Sequence, residues 1–544
     1  MRNSKCYNFE LCRVDVNTDL NIAAWQRYLE NYEDKIIVQY LRFGWPLNFV
    51  SETQPRSDLR NHNGARDFAD SVDRFLHSEC RQTRIYGPFR KPPFATFFTS
   101  PLNTVPKSDT LERRIIVDLS WPSGEGVNSG IDVDMYLGEP SDIHFPTIDD
   151  VILLVNEAGP GCFIYKRDLK AAYRQFPVDP ADYKYLGYHW RGKYYFDTRL
   201  CMGQRTAALA CQRSTRAVVY IMLSNGHTIV VYLDDFIGVE ARSNAWRSFY
   251  YLGDLLIELG LRENVPKACP PSQRQIVLGV LFDTVSMTIS ITPDRLAEIR
   301  SLVEQWLVKR TASKRQLQSL LGKLMFISKC VRQSRIFVNR IIATIRGLKH
   351  HYYKIKLTQE FRKDLLWWRE FASIFNGVSV LPDHQWSEPD AVFSTDACLS
   401  GCGGVFGDTY FRSEFPVSVM AMKLHIHDLE LLSIVVAVRL WKDHLRGKRV
   451  IVYCDNEPSV FALNSGRTSG DFTAACLREL WLHCCSVQLE LRAIHLPGVE
   501  NRLPDYLSRS HIHVKYYNRF LVETSEHYIE HYIDDSFFEL NSVF

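Results

Sequence analysis

The chain has 544 residues, of which 46% are hydrophobic and 23% charged, and its formal net charge is +3. This composition excludes a disordered chain, and the length predicts three or four domains. No apolar run reaches about eighteen residues and the first residues lack the apolar core of a signal peptide, so we expect an intracellular protein, cytoplasmic or nuclear or both, without a membrane partner.

The order of apolar runs predicts five segments with different character. Residues 1–85 predict a charged, mostly helical extension, and residues 86–292 predict a mixed α/β domain of short strands and helices. Helical periodicity dominates residues 293–388, strands return in a second α/β domain over residues 389–510, and residues 511–544 form an acidic tail. The 14 cysteines are scattered without zinc-ligand spacing, and we expect reduced thiols.

Charge is unevenly distributed along the chain. Residues 301–350 hold eleven Lys or Arg and one acid, Glu304, whereas the residues from Leu521 onward hold six acids and no Lys or Arg. A solvated helix face usually carries mixed signs, so this segregation favours a polyanion as the partner of the basic stretch.

A pair of acids interrupts the apolar run TIVVYLDDFIGV. Asp234 and Asp235 lie where a hairpin turn is expected, and a bare pair at this place is also compatible with a solvent-exposed turn. Asp168, 66 residues before Asp234, ends another apolar run, CFIYKRDL. Three carboxylates at strand ends can hold two magnesium ions about 4 Å apart, one for an attacking 3′-hydroxyl and one for a triphosphate.

These runs resemble the motifs of reverse transcriptases in unbroken order from about Gly87 to Ile291. The relevant stretches are VPKSDTLERRIIVDLS, RDLKAAYRQFPV, LCMGQRTAALACQ, VVYLDDF, LGLRENVPKAC and IVLGVLFDT. The resemblance implies a right-hand polymerase with fingers, palm and thumb, in which Asp168, Asp234 and Asp235 bind two Mg²⁺ ions, with Mn²⁺ as a possible substitute.

The same resemblance assigns the nucleotide-binding residues. Lys107 and Arg114 would contact the triphosphate and Gly203 would lie under the incoming nucleotide. Lys267 is a candidate acid for pyrophosphate, or ordinary surface charge. Tyr173, five residues after Asp168, occupies the place of the aromatic steric gate against ribonucleotides, with a packed core aromatic as the alternative. In the stretch LCMGQRTAALACQ, which resembles the loop and helix that contact the template and the nucleotide, Met202 and Ala208 depart from the usual family pattern. This departure puts the fidelity of synthesis in doubt more than the activity.

A second Tyr-x-Asp-Asp sequence, at residues 532–535, carries no predicted catalytic role. It lies in the acidic tail without paired apolar runs and without a partner acid at a suitable distance.

Four further acids mark the second α/β domain. Asp396 and Asp455 end apolar runs, Glu430 lies within the apolar helix LELLSIVVAV, and Asp505 opens the short helix LPDYLSR. Each alone has an ordinary explanation as a cap or strand-end acid, but together they would make another two-metal phosphodiesterase site. Between them, GCGGVFG predicts a tight hairpin rather than a dinucleotide loop.

These stretches resemble the ribonuclease H domain of retroelements, from about Ala391 to Arg509. STDAC, HDLELL, YCDN and HLPGVENRLPDYLSR match it in order. Asp428 is a weaker rival to Glu430, and His495 is a candidate for the flexible histidine that some members use. The predicted fold class is therefore α/β (α+β), a right-hand polymerase followed by a ribonuclease H-like mixed α/β domain.

The implied function is RNA-directed DNA synthesis with removal of the RNA strand. The partners would be an RNA template, a DNA primer, the RNA·DNA hybrid and deoxynucleoside triphosphates, while the oligomeric state stays open. The basic stretch resembles the thumb and connection, and segments such as DLSWPSGEGVNSGI look most like DIRS/Ngaro-type retrotransposons, with gypsy-type elements and pararetroviruses next. Alternatives are an inactivated nucleic-acid-binding relic and an RNA-directed RNA polymerase, which would not need the second domain.

Overall fold

The computed structural model describes residues 15–540 except for short gaps. These gaps are residues 58, 108–111, 133, 329, 331–333, 335–336, 351, 375–377, 381–388, 467, 469, 488 and 525–526. The chain forms two compact units, Met1–Val277 with Asp283–Ser286, and Leu278–Phe282 with Met287–Phe544. Within the described ranges, no helix is long and apolar enough to cross a membrane.

The N-terminal unit contains seven helices among its described residues. They are α1 (Ile22–Tyr28), α2 (Ile37–Phe43), α3 (Asn63–Asp67), α4 (Ala69–Arg81), α5 (Ile148–Ala158), α6 (Ala207–Ser224) and α7 (Ala245–Glu258). The first four lie before β1. Its core is one continuous cluster that includes the fully buried Trp25, Trp45, Phe176 and Phe236.

Short strands complete this unit. They are β1 (Ile85–Phe89), β2 (Leu102–Pro106), β3 (Arg113–Val117), β4 (Met135–Tyr136), β5 (Glu139–Pro140), β6 (Phe163–Asp168), β7 (Gly187–Trp190), β8 (Lys193–Asp197), β9 (Ile229–Tyr232), β10 (Asp235–Glu240), β11 (Cys269–Ser272) and β12 (Arg274–Val277). The central sheet has the order β11-β6-β10-β9, and all of its pairs are antiparallel. Helices α5 and α7 pack on it through apolar faces, while α6 packs against β9.

The C-terminal unit begins with a helical part. Its elements are β13 (Val280–Asp283, whose last residue belongs to the first unit), β14 (Thr288–Ile291), α8 (Pro293–Val308), β15 (Thr311–Ser313), α9 (Lys314–Ile327), α10 (Asn339–Arg346), β16 (Lys354–Lys356), α11 (Gln359–Ile374) and β17 (Val378–Val380). Helix α9 buries Leu317, Leu320, Leu324 and Ile327. Trp367 and Trp368 of α11 are fully buried and form the aromatic centre of this part.

The rest of the unit is built on a six-stranded mixed sheet. Its elements are β18 (Ala391–Ala397), β19 (Gly401–Phe406), β20 (Thr409–Glu414), α12 (Val417–Ala421), α13 (Ile426–Trp441), β21 (Arg449–Cys454), α14 (Glu457–Ser465), α15 (Asp471–Ser486), β22 (Glu490–His495), α16 (Arg502–Ser508), α17 (Val514–Thr524) and β23 (Ile529–Glu530).

This sheet has the order β22-β21-β18-β19-β20-β23. Strands β18, β21 and β22 run parallel, whereas β18, β19 and β20 form antiparallel pairs. Helix α13 is apolar nearly all round and is buried along its length, as expected of a helix covered on several sides. The predicted mixed α/β class is confirmed.

The glycines of GCGGVFG lie mainly in β19 and not in a turn. The hairpin preferred from the sequence is present, since β19 pairs with β20 around Gly407, whose φ is +60°. A Cβ on Gly403 would lie 2.4 Å from Leu507, so this glycine allows α16 to approach the sheet closely.

Part of the segment predicted as an acidic tail is folded onto the same sheet. Strand β23 pairs with β20, and Phe520 of α17 is fully buried beside Tyr410. The five-segment division of the chain otherwise stays a prediction.

Candidate functional sites

The first group of acids meets at one end of the central sheet of the N-terminal unit. Asp168 is the last residue of β6 and Asp235 the first of β10, and the two are direct partners in the antiparallel register. Asp234 lies in the two-residue turn between β9 and β10, next to Leu233, whose φ is +55°. The structure therefore brings Asp168 close to Asp234 and Asp235, although the sequence separates Asp168 from Asp234 by 66 residues.

Burial and mutual repulsion oppose the simultaneous ionisation of these three carboxylates. Burial raises the pKa of Asp234 to about 6, and the nearby charge of Asp168 adds to the shift. Burial also raises the pKa of Asp235, although the Lys166 ammonium, 3.9 Å away, opposes it. Oxygen ligands of this kind suit a hard divalent cation, which would relieve the repulsion, so the residues present fit magnesium.

Two polar side chains from the loop after α7 contact Asp168. The Nδ2 of Asn264 donates a hydrogen bond of 3.1 Å to its carboxylate, and the Nζ of Lys267 lies 3.3 Å from the same oxygen. Lys267 is 68% exposed, so its ammonium is also free to meet a ligand from solvent. The sequence identified Lys267 but missed Asn264, three residues earlier.

A buried glutamine holds the hairpin that carries Asp234. The main-chain N–H of Leu233 donates to Oε1 of Gln212 at 2.7 Å, and Nε2 of Gln212 donates to the carbonyl of Val231 at 2.9 Å. Gln212 is 2% exposed and belongs to α6. Sequence reasoning missed this residue, although a polar side chain on a helix with many buried positions is a detectable anomaly.

The predicted nucleotide-binding residues are distributed around this unit. Tyr173 is half-buried in a 3₁₀ turn, and burial, followed by the charges of Cys211 and Asp234, raises its pKa to about 12. Gly203 has φ +99°, and a Cβ there would lie 2.7 Å from the carbonyl oxygen of Val117. Only glycine fits this position without strain.

Lys107 and Arg114 lie at the β2–β3 hairpin. Lys107 forms an ion pair of 2.9 Å with Glu112, and Arg114 is exposed on β3. In the described part of the chain, neither forms an ion pair with the three aspartates. Their triphosphate role stays a prediction.

The second group of acids converges in the C-terminal unit from four elements. Asp396 belongs to β18, Glu430 to α13 and Asp505 to α16, while Asp455 directly follows β21. Ligand atoms of Glu430 and Asp455, with the thiol of Cys454, lie within 4.8 Å of one another. The described side chains include no other such group of at least three His, Cys, Asp or Glu.

Hydrogen bonds fix the two most buried acids. Glu430 accepts the main-chain N–H of Ala397 at 3.0 Å, and Asp396 accepts the hydroxyl of Ser508 at 2.5 Å. Both acids are 2% exposed. Ser508 was missed by sequence reasoning, although it lies one helical turn after Asp505.

This group is also electrostatically strained as bare anions. Burial, together with the charges of Asp455 and Asp505, raises the pKa of Asp396 to about 7. Burial and the same kind of repulsion raise the pKa of Glu430 well above its ordinary value. Four acceptor groups at one end of a sheet therefore also fit divalent cations.

An open cleft of about 520 Å³ gives access to this group. Its lining includes Asp396, Glu430, Asp455 and Arg509. Asp505 is not among the lining residues and forms an ion pair of 2.8 Å with Arg509. Besides burial, the charge of Asp505 contributes to raising the pKa of both Asp396 and Asp455.

Two alternatives left open by the sequence are placed by the structure. Asp428 is buried and accepts a hydrogen bond of 2.6 Å from the hydroxyl of Thr473. Its carboxylate therefore links α13 to α15. His495 is exposed at the end of β22, and its Nε2 lies 3.1 Å from the carbonyl oxygen of Asp455. The imidazole is therefore beside the cleft but outside the buried cluster.

The second Tyr-x-Asp-Asp sequence has a local structural role. Asp534 accepts the N–H of Ser536 at 2.9 Å and begins a 3₁₀ turn, while Tyr532 is 88% exposed.

No protein-family model matches the chain, and no curated protein matches its sequence. Solved structures of a foamy viral protease-reverse transcriptase are similar to it. Two in complex with double-stranded DNA are 16% identical, each over 89% of this chain and over 84% and 98% of theirs, with TM-scores of 0.49. A third, in complex with an RNA/DNA hybrid, is 17% identical over 89% of this chain and 62% of its own, with a TM-score of 0.46.

Proposed function

We propose that the chain is an RNA-directed DNA polymerase that also cleaves the RNA strand of RNA·DNA hybrids. The observation that carries the proposal is the convergence of two separate carboxylate groups, one per unit, each at the end of a sheet. In the first, Asp168 and Asp235 face each other in register with Asp234 at the adjoining turn. Groups of this kind are the ligand sets of two-metal phosphoryl-transfer sites.

In the polymerase site, Asp168, Asp234 and Asp235 would hold two Mg²⁺ ions, with Mn²⁺ as a possible substitute. When bound, these ions supply neutralisation of the phosphate charge and a lowered pKa for the primer 3′-hydroxyl. The exposed ammonium of Lys267 beside Asp168 is placed to give a proton to departing pyrophosphate. Lys107 and Arg114 would bind the triphosphate, and Gly203 leaves room for the nucleotide.

In the nuclease site, Asp396, Glu430, Asp455 and Asp505 would hold the same kind of ions. The buried hydrogen bonds of Asp396 and Glu430 keep these two ligands rigid, whereas Asp455 lies at the cleft and is open to substrate. His495 is exposed, and its Nε2 lies 3.1 Å from the carbonyl oxygen of Asp455.

Both activities on one chain are chemically coherent. A polymerase that copies an RNA template from a DNA primer, using deoxynucleoside triphosphates, produces an RNA·DNA hybrid, whose RNA must be removed before a second strand is made. An RNA-directed RNA polymerase would have no use for the second site. An inactivated relic would be expected to have lost metal ligands, and all seven acids are present in the sequence.

The sequence stretches quoted above favour a retrotransposon origin, of the DIRS/Ngaro type before gypsy-type or pararetroviral elements. The chain would act inside the cell, in the cytoplasm, the nucleus or both.

Primer extension on an RNA template with magnesium tests the polymerase proposal. Wild-type protein should extend a DNA primer with deoxynucleotides, and Asp234→Asn should abolish extension. Asp534→Asn in the second Tyr-x-Asp-Asp sequence is a matched control that preserves the cap of the 3₁₀ turn, and it should extend normally. A fully active Asp234→Asn protein would refute the assignment.

A further inference from the structure

Three aromatic rings are exposed together in the helical part of the C-terminal unit. Tyr352 and Tyr353 are 74% and 45% exposed, and their ring centroids are 5.2 Å apart in an edge-to-face arrangement. The ring of His350 lies nearly parallel to that of Tyr352 at 5.6 Å. These rings do not contribute to the core, whose aromatic centre is formed by the buried Trp367 and Trp368.

Hydrogen bonds hold the backbone at Leu348, His350 and Tyr353. Strands β15 and β16 pair as a short antiparallel ribbon, and the N–H of Lys314 donates to the carbonyl of Tyr353 at 3.2 Å. The Nζ of Lys314 donates to the carbonyl of Leu348 at 2.6 Å, and the N–H of Tyr353 donates to the carbonyl of His350 at 3.2 Å.

The sequence that carries the rings is strongly basic. Residues 305–359 contain thirteen Lys or Arg and no Asp or Glu. Lys323 and Arg340 form ion pairs with acids outside this range. Among the described residues, the following exposed side chains of the stretch have no ion pair: Arg310, Arg315, Arg346, Lys349, Lys354 and Lys356.

We propose that His350, Tyr352 and Tyr353 form a stacking surface for unpaired bases of single-stranded nucleic acid. The lysines and arginines around the rings would contact the phosphates of the same strand. Exposed aromatic rings in a basic groove are the combination by which proteins bind single strands without sequence preference. Bases inside a duplex stack on each other and cannot stack on a side chain, so the rings favour a single strand over the hybrid.

The inference goes beyond the proposed polymerase and nuclease activities and needs neither metal site. Binding should therefore be measured with the full chain in EDTA, using an end-labelled oligothymidine of about 15 nucleotides and a blunt duplex of equal length. Tyr352→Ala and Tyr353→Ala should each weaken single-strand binding at least about fivefold, the lower end of what one stacked base contributes. Duplex affinity should change less than about twofold.

Matched variants separate stacking from general surface effects. Tyr352→Phe retains the ring and should bind like wild type, while Tyr532→Ala removes an even more exposed tyrosine from an acidic surface and should have no effect. Lys349→Ala and Lys354→Ala should flatten the salt dependence of single-strand binding by about 0.7 log units per log unit of salt for each lost contact.

Photocrosslinking gives a measurement that does not depend on a substituted protein. An oligonucleotide containing 5-iodouracil should crosslink the wild-type chain at Tyr352 or Tyr353. The proposal is overturned if crosslinks fall elsewhere, if the alanine variants bind the single strand as well as wild type, or if they lose duplex and single-strand binding equally.

Discussion

The buried amide of Gln212 offers a way to test whether the hairpin carrying Asp234 must be held in place for catalysis. Replacement by leucine keeps most of the volume but removes the acceptor of the Leu233 N–H and the donor to the Val231 carbonyl. Each backbone group left unpaired costs about 1–3 kcal/mol. If about 1.4–2.8 kcal/mol of this cost raises the free energy of the transition state relative to the bound ground state, kcat falls about 10- to 100-fold.

Steady-state primer extension with Gln212→Leu should show this loss in kcat, while KM for deoxynucleotide changes less than about threefold, because the residue acts by positioning and does not touch the nucleotide. Hybrid cleavage by the same protein provides an internal control of folding and should be unchanged. Thr215→Val, on the same helix, removes a buried hydroxyl whose hydrogen bond of 3.1 Å goes to Cys211 of that helix, and it should leave kcat nearly unchanged. If Gln212→Leu has a wild-type kcat, the hairpin does not need the two hydrogen bonds of Gln212 for catalysis and the reasoning is wrong.

Three further expectations concern other parts of the molecule. Tyr173→Ala should raise ribonucleotide incorporation relative to deoxynucleotide at least about tenfold, a difference of about 1.4 kcal/mol, and unchanged discrimination would show that Tyr173 is not the gate. Arg310→Ala with Arg315→Ala should lower the slope of log hybrid affinity against log salt by up to about 2, whereas an unchanged slope would make these arginines ordinary surface charge. Burial opposes ionisation of Glu479, but hydrogen bonds from His483 and Arg439 lower its pKa to about 2 from 4.5. This carboxylate stabilises the folded state above about pH 4.5, and the contribution, about 3 kcal/mol, is lost as pH falls toward 2; urea unfolding should show a flatter pH dependence for Glu479→Gln.

The local arrangement of the polymerase-type acids could be predicted from sequence. Asp234 and Asp235 interrupt an apolar run and Asp168 ends another, and strand ends in one sheet tend to meet. The hydrogen bonds between Gln212 and the hairpin could not be predicted, because they depend on how α6 packs against β9. That packing is set by tertiary contacts and not by local periodicity.

The choice between Asp428 and Glu430 shows a second limit. Two residues apart on a helix, they point about 200° from each other, so the sequence establishes that they occupy different faces. It does not establish which face meets the sheet, because α13 is apolar on nearly every side. The structure places Glu430 beside Ala397 of β18 and Asp428 against Thr473.

The folded part of residues 511–540 shows a third limit. Strand β23 has two residues, too few to produce a recognisable alternation, and its pairing with β20 is a long-range contact. Composition alone therefore described this segment as acidic without indicating that Phe520 is buried in the core.

The most direct test of the central claim is whether the two carboxylate groups fail independently. Asp234→Asn and Asp455→Asn should be assayed side by side for DNA synthesis on an RNA template and for cleavage of an RNA·DNA hybrid. We expect Asp234→Asn to abolish synthesis and retain hybrid cleavage, and Asp455→Asn to do the reverse, because the two acids belong to different compact units. Loss of both activities by either single change, in a protein that is still folded, would contradict the two-site account.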